Sequence, residues 1–545
     1  MKLKITAAVL SLVLGLSPVF SGGGGDKDGG GGISVLYACH QYLTGIDHLK
    51  WLKNFEKDAG VSVKIQRMMP SEWAEKKSVL FASRSIPDVI IHGAAGGDLI
   101  TFKGLFEELT PLIENHAPNI KKMFAERPEL KLFVQNDQGE IYGTPTYVAS
   151  TQQSQSNPAM TVLINQTWLE RTGKKMPSTW AELKDVLAAF RDNDVNQNGR
   201  NDDEYPMASL NLEAGYFSWY YLLGGLGIPI SNVNSSGGFF VEDSRVKFVY
   251  ADERFKTFCK FLRECYAERL IPRDAFSQDF NQYLAKLNEN GDTALTGVIF
   301  NFKLFNPYTT KIGKEYAELP PMRASADSPE PFFADDTFAL SYLSSTAAVI
   351  SAQSKNKIGA MKFIDQFYDP INSLQVYAGD ISDSPDPIRG GLARLPGGGY
   401  GAINPRDYAG AMQNARTYQW GDYAPLYLPQ SVMDSVMYEE FRDHEDWASG
   451  LKSVYRDQLT RYNETNTWPG PFLKFTSDES KRMMTLGADM GRYVGQYAKW
   501  ASGLGDIDAD WDGYVQSFRE AGLDEAIAIR QASYDRYIKQ LHGAN

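Results

Sequence analysis

Three cysteines in 545 residues, Cys39, Cys259 and Cys265, are too few to staple a small framework. Cys259 and Cys265 stand six apart in what reads as one helix and point from different faces, so no structural disulfide is expected. Histidine is also scarce: the six show no metal-ligand spacing. There is no His-Glu-x-x-His, no Gly-x-Ser-x-Gly elbow and no P-loop Gly-Lys-Ser/Thr, so covalent or zinc hydrolysis has no support. Positive charge is in deficit, with 55 Lys and Arg against 67 Asp and Glu for a net of −12. A nucleic-acid binder needs a basic face to neutralise phosphates, so nucleic acid is excluded as the main partner, and anionic membrane surfaces are disfavoured on the same ground. Past the N-terminus no segment approaches about 18 consecutive apolar residues, so no integral span is expected.

What is present is bulk and apolar patterning. At roughly 150 residues per domain the length implies three to four units or two large ones, and 43% hydrophobic with 22% charged residues is a globular composition. Lys2 and Lys4, the apolar run Ile5 to Phe20 and the small pair Ser21-Gly22 read as an export signal over residues 1–22. Residues 23–32, glycine broken only by Asp26, Lys27 and Asp28, read as a flexible tether. Phe20-Ser21-Gly22 resembles the end of a bacterial lipoprotein signal, but Gly23 stands where the lipidated Cys would be. A membrane anchor is therefore expected only if position 23 carries Cys; the folded part is placed outside the cytoplasm, tethered to the outer face of the membrane, secreted or periplasmic.

Along the chain, Ile33 to Tyr37, Val61 to Ile65 and Pro87 to Ile91 read as strands, with helices over His48 to Phe55 and Ser71 to Phe81 between them. That alternation specifies an α/β fold with a parallel sheet, whose ligands sit beyond the carboxyl ends of the strands. The loops Ala38 to Thr44, containing His40, and His92 to Gly97 are expected to face a cleft. Glu140 to Tyr147, with its Gly-Thr-Pro break, reads as a crossing between lobes, and Tyr147 becomes a candidate ligand contact. Thr179 with Glu182 reads as a capping box, followed by Leu183, Val186, Leu187 and Phe190 on one helical face. The last third is largely helical.

Two local patterns carry chemistry. Asp194-Val195-Asn196-Gln197-Asn198-Gly199-Arg200-Asn201-Asp202-Asp203 places oxygen side chains at alternate positions, then Gly for a sharp turn and a backbone carbonyl at Arg200. A hard cation of six to eight oxygen ligands requires this, and the loop looks like a calcium loop. It departs from an EF-hand where Tyr205 replaces the bidentate Glu, so Asp202 and Asp203 must supply carboxylates; the bland reading is a solvated turn. The second pattern is aromatic density: 29 Phe, 10 Trp and 29 Tyr, several in polar, turn-rich settings. Flat rings stack on the C–H faces of pyranoses, which makes Tyr216, Phe217, Trp219, Trp420 and Trp468 candidate sugar contacts, although most such rings serve packing. A carboxylate pair for glycoside hydrolysis could come from Asp335-Asp336 or from Asp380 with Asp383.

Pro87-Asp88-Val89-Ile90, Pro177-Ser178-Thr179-Trp180-Ala181-Glu182-Leu183, the Asn-rich acidic loop and the end Ile507-Asp508-Ala509-Asp510-Trp511-Asp512-Gly513-Tyr514 follow one another behind an export leader. In that order they resemble the extracellular solute-binding proteins of ABC importers, family 1, and within it the large members similar to alginate-oligosaccharide-binding proteins. The resemblance implies a two-lobe periplasmic-binding-protein-like fold with hinge crossings and a helical C-terminal region, with lobe 1 from residues 33–146 and 330–370 and lobe 2 from 150–325 and 375–545. It implies a non-catalytic protein that closes on an oligosaccharide and delivers it to permease subunits, with Phe302 in the loop after Ile299 where sugar-contacting aromatics lie and structural calcium on Asp194, Asn196, Asn198, the carbonyl of Arg200, Asp202 and Asp203; a monomer is expected. The alternatives are a polysaccharide-degrading enzyme using a carboxylate pair and a binding protein for a non-sugar solute such as a peptide.

Overall fold

The computed structural model describes residues 31–39, 49–149, 160–200, 202–212, 217–230, 233–289, 292–302, 311–333, 342–383, 391–403, 420–421, 424–438 and 461–543. His40, Tyr216, Asp335 and Asp336, the leader and most of the tether lie outside the described residues.

The first lobe grows from the strand Ile33–Ala38, whose Val35, Leu36 and Tyr37 are all fully buried, as a strand covered on both faces requires. It pairs in parallel with Val63–Met68 on one side and Val89–Ile91 on the other. The connections are the helices Lys50–Ala59 and Pro70–Ala82. Lys50–Ala59 buries Trp51, Leu52, Phe55 and Ala59, and it stops at Gly60, whose φ of 67° favours a residue without a β-carbon.

The sheet does not stay parallel. Tyr342–Ile350 runs antiparallel beside Val89–Ile91, Thr144–Val148 antiparallel beside Tyr342–Ile350, and Leu426–Leu428 parallel at the edge, giving six strands. Glu140 to Tyr147, read as a crossing, therefore runs into an interior strand, and the crossing lies beyond Val148. Gly143 permits this close entry, since a β-carbon there would stand 2.8 Å from the Ser345 carbonyl oxygen.

The second lobe is built on four strands in the spatial order Tyr316–Glu318, Met160–Asn165, Thr296–Phe302, Tyr205–Ala208. The helix Trp180–Arg191 covers it with Trp180, Leu183, Val186, Leu187 and Phe190, the face expected from its spacing. Thr179 accepts from the Glu182 backbone N–H at 3.2 Å, while the Glu182 carboxylate reaches one residue further back, to the Ser178 N–H and hydroxyl at 2.7 Å each. The helices Ser477–Val494, Gln496–Ala501, Ile507–Glu520 and Leu523–Gly543 complete this lobe, burying Trp500, Trp511, Tyr514 and Phe518 in the same core as Phe248, Phe255 and Phe258.

The first lobe's main apolar core gathers residues from Ile33 to Ala149 and from Ala348 to Met433, with Phe472; a smaller one on the other face of its sheet holds Leu36, Trp73, Phe81, Phe106 and Val349; and the second lobe's core gathers residues from Val162 to Phe333 and from Leu473 to Tyr534. This corrects the boundary drawn at residue 375. The helix Pro370–Ala378, Trp420 and the strand Leu426–Leu428 belong to the first core, because Leu426–Leu428 finds its ladder partner in Thr144–Val148 and Trp420 its apolar contacts under the first sheet. All three cysteines are free and buried. Among the described residues no helix is long and apolar enough to cross a membrane.

Candidate functional site

The parallel strands of the first sheet end at Ala38, Met68 and Ile91, and the next residue in the last of them, His92, adopts φ of 55°. A left-handed conformation costs a residue with a β-carbon energy, and it persists only where the surroundings hold it. Here the His92 backbone N–H donates to the Ala347 carbonyl at 2.8 Å and Nδ1 lies 3.2 Å from the Ala38 carbonyl. Trp73 Nε1 donates to the Gly93 carbonyl at 2.8 Å, and Thr346 Oγ1 to the Ala94 carbonyl at 2.6 Å. The loop is thus held from three elements at the carboxyl end of the sheet, where ligands of such folds sit. His92 was not among the candidate contacts; its signal was a polar residue between the short buried run Val89 to Ile91 and a glycine-rich loop.

Thr144–Val148 and Tyr342–Ile350 continue past that level, since Ala348 stands opposite Ile91 and Thr144 while Tyr342 stands opposite Tyr147. At their tips the Tyr147 and Tyr342 rings lie 5.1 Å apart, and the Arg127 guanidinium sits 4.9 Å above Tyr147. Burial raises the Tyr147 pKa and Arg127 opposes it. Tyr147 is 4% exposed, so this candidate contact is covered by its neighbours and does not present a ring to a ligand. Phe472 from the C-terminal stretch joins the same cluster, 5.7 Å from Phe133, 4.8 Å from Tyr342 and 5.6 Å from Tyr537. Beside it Lys474 Nζ donates to the Phe133 carbonyl at 2.5 Å, and burial pushes the lysine down to about 8. These contacts bolt the end of the chain onto the first lobe next to the crossings.

The two tryptophans singled out first are core residues. Trp219 is fully buried, 5.8 Å from Phe300 and 6.4 Å from Phe276. Trp420 is fully buried, stacked on Tyr37 at 4.2 Å and edge-on to Trp51 at 5.0 Å. An indole removes so much apolar surface from water that a site able to bury it whole wins over one that leaves a face exposed. Phe217 is half-buried, 5.0 Å from Phe280, and Trp468 is half-buried, stacked on Phe239 at 6.3 Å. Phe302 ends the strand Thr296–Phe302 opposite Met160, at the end of the second sheet from which Met160–Asn165 starts. Asp380, offered for carboxylate chemistry, accepts from the backbone N–H groups of Trp51 at 2.9 Å and Lys50 at 3.2 Å. It therefore caps the helix Lys50–Ala59 from far away in sequence.

The Asn-rich loop closes through its own side chains. Asp194 accepts from the backbone N–H of Asn198 at 3.1 Å and of Gly199 at 3.0 Å, and Asn196 Oδ1 from Asn198 N–H at 2.9 Å. Asn198 Oδ1 accepts from the Arg200 N–H at 2.9 Å, and Asn198 Nδ2 donates to Asp203 at 2.8 Å. Gln197 at φ 62° and Gly199 at φ 85° make the turn. Asp203 keeps 11% of its side chain exposed, whereas Asp202 keeps 83% and points to water in this conformation. Asp203 Oδ1 and both carboxyl oxygens of Glu204 are buried without a hydrogen-bond partner. Burial, with Asp203 and Asp194 nearby, raises the Glu204 pKa. Among the described residues no group of three or more His, Cys, Asp or Glu is arranged to hold a metal, so a cation here would also need amide and backbone oxygens. The all-oxygen set, with its buried carboxyl oxygens lacking hydrogen-bond partners, fits the ligand chemistry of a hard cation.

Residues 50–385 match the family described as bacterial extracellular solute-binding protein. The chain is 28% identical over 507 residues to the fructooligosaccharide ABC transporter substrate-binding protein FusA of Streptococcus pneumoniae, covering 89% of this chain and 86% of the relative. A solved FusA EF-hand mutant in complex with fructo-nystose superposes with TM-score 0.76 at 25% identity, over 93% of this chain and 99% of that one. An HMO-binding solute-binding protein of Bifidobacterium longum infantis shares the fold, with TM-score 0.79 at 24% identity over 94% of this chain and 99% of that one. Two cores joined by repeated crossings, a loop pinned at the carboxyl end of the first sheet and a family match across most of both lobes' N-terminal parts agree: the chain belongs to the bacterial extracellular solute-binding proteins.

Proposed function

We propose that the chain is the substrate-binding component of an ABC importer and that the solute it captures between its lobes is an oligosaccharide, handed on without chemistry to membrane permease subunits. The observation that supports this most is the similarity to the fructooligosaccharide-binding relative along nearly the whole length of both chains. Closure follows when ligand contacts to both lobes stabilise the closed state more than the open one; a ligand touching one lobe equally in both states would shift nothing. With Trp219, Trp420 and Tyr147 buried, the contacts fall to the loop at His92, to the half-buried Phe217 and Trp468, and to Tyr216, Phe302 and His40. The protein works as a monomer outside the cytoplasm, its N-terminal stretch serving as leader and tether.

Calcium would be held by Asp194, Asn196, Asn198, the Arg200 carbonyl and Asp203, with Asp202 turning inward or Glu204 taking its place. The ion supplies charge compensation and rigidity to the loop. Because it binds the native state, a chelator lowers the melting temperature and Asp194→Ala abolishes that response; an unchanged melting curve reduces the loop to a turn.

Titration with fructooligosaccharides, milk oligosaccharides and alginate oligosaccharides, followed by intrinsic tryptophan fluorescence, tests the carbohydrate reading. Saturable binding of one class and no response to monosaccharides is expected. Silence across the panel overturns it, and new reducing ends after long incubation would favour a hydrolase instead.

A further inference from the structure

In the second lobe the hairpin of strands Phe239–Glu242 and Arg245–Phe248 packs against the helices Ser477–Val494 and Leu523–Gly543, and the packing is incomplete. A cavity of about 200 Å³ remains, floored by Phe239, Phe248, Tyr250 and Met490 and rimmed by Gly487 and Gly491. The two glycines lie one turn apart on the helix, and a β-carbon on either would meet no atom within 4 Å. The space is therefore open where side chains are absent, and it is not a gap left by a bulky neighbour.

Arg530 forms part of the wall. Its guanidinium lies 3.9 Å from the centroid of the Phe239 ring. Among the described residues it makes one hydrogen bond, from Nη1 to the Met483 thioether at 3.3 Å, a weak acceptor. Nε is buried without a partner, and Nη2 finds no acceptor among the described residues. Other arginines of this lobe behave differently. Arg254 spreads four side-chain hydrogen bonds over Asp252 and Glu242, Arg482 pairs with Glu525, and Arg536 with Glu479. Burial without a carboxylate pushes Arg530 down to about 10, against the usual value above 12.

We propose that this cavity is a second binding site, taking a small monocarboxylate whose apolar body is about one ring in size. Nη2, joined by Nη1 when it leaves the weak Met483 acceptor, presents the fork that a carboxylate matches with paired charge-assisted hydrogen bonds. Phe248, Tyr250 and Met490 receive the apolar body, while Phe239 is covered by the guanidinium, and cavities of about 150 Å³ already accommodate benzene. The site lies wholly within the second lobe, so it fills without lobe closure and does not depend on the carbohydrate reading.

The test is titration of the full chain with benzoate, followed by heat and by Trp468 emission, since Trp468 stacks on Phe239. Benzyl alcohol is the uncharged control. Saturable benzoate binding is expected, at least tenfold tighter than benzyl alcohol, weakened tenfold or more in Arg530→Gln and lost in Gly491→Leu, which fills the mouth from an exposed helix position. Should Arg530→Gln not fold, Gly491→Leu and the alcohol control decide. No benzoate binding, equal binding of acid and alcohol, or retention in Gly491→Leu overturns the proposal. An oligosaccharide titration on Gly491→Leu is expected to be unchanged, which keeps failure here separate from failure of the carbohydrate reading.

Discussion

The first lobe rests on a six-stranded sheet whose ladder supplies rigidity; the second rests on a four-stranded sheet and borrows four helices from the end of the chain. Trp420 closes the first core against Tyr37 and Trp51, while in the second Trp500, Trp511 and Tyr514 do so from residues more than 150 positions beyond the last strand of their sheet. The difference teaches that the lobes are equally dry inside but unequally local: the first holds itself together largely by strand pairing, the second by docking a helical segment that has first crossed the other lobe. A protein that must open and close needs two rigid bodies, and either route provides one.

The largest effect should come from removing a central indole in each lobe. Trp420→Ala and Trp219→Ala are each expected to cost about 3–5 kcal/mol. If the lobes are separate cooperative units, denaturant unfolding shows two transitions, each variant moving only one. A single shared shift in both would break the comparison. Next, Gly224→Ala would set a β-carbon 1.8 Å from the Phe332 carbonyl oxygen, so the second lobe must give way by about 1–3 kcal/mol, read as a lower midpoint for its transition alone.

The contact between the lobes is expected to respond to pH. Lys474 has its folded pKa lowered to about 8 from 10.5, so the stability it contributes is fully present above the unfolded value and is lost as pH falls through about 8. Melting temperatures measured from pH 7.5 to 10.5 should carry a rising component that Lys474→Met removes; the same profile in the variant would mean that the junction is not charged by this residue. The smallest effect is expected at Asp380→Ala, which uncaps Lys50–Ala59 and should cost about 1 kcal/mol in the first lobe's transition.

Alternation of apolar runs made the first β-α-β-α-β stretch legible, because Ile33–Ala38 and Val89–Ile91 are short runs buried on both faces, the edge strand Val63–Met68 is only partly buried, and the helix Lys50–Ala59 carries an apolar stripe of period 3.6. The helix after Thr179 was legible for the same reason, its cap and its stripe agreeing. The strand Thr144–Val148 was not, since Gly-Thr-Pro looks like a break until Gly143 is seen against the Ser345 carbonyl. Nor was the role of Trp420, because nothing near residue 420 in sequence says that Tyr37 and Trp51 wait for it. Loop spacing pointed to Asp202 and Asp203 and did not settle the role of Glu204, and only burial shows which carboxylates are turned inward.

The order of residues alone determined that this is an α/β chain, that its acidic balance excludes a phosphate-tracking surface, and that an oxygen-rich turn follows a capped helix, because periodicity, charge and turn chemistry are local quantities. Which lobe the helix Pro370–Ala378, Trp420 and the strand Leu426–Leu428 join, which aromatic rings are dry, and that Arg530 meets no carboxylate among the described residues were decided only by the folded structure. Those properties depend on partners hundreds of residues away, and burial is a property of the assembled core that no neighbouring residue can encode.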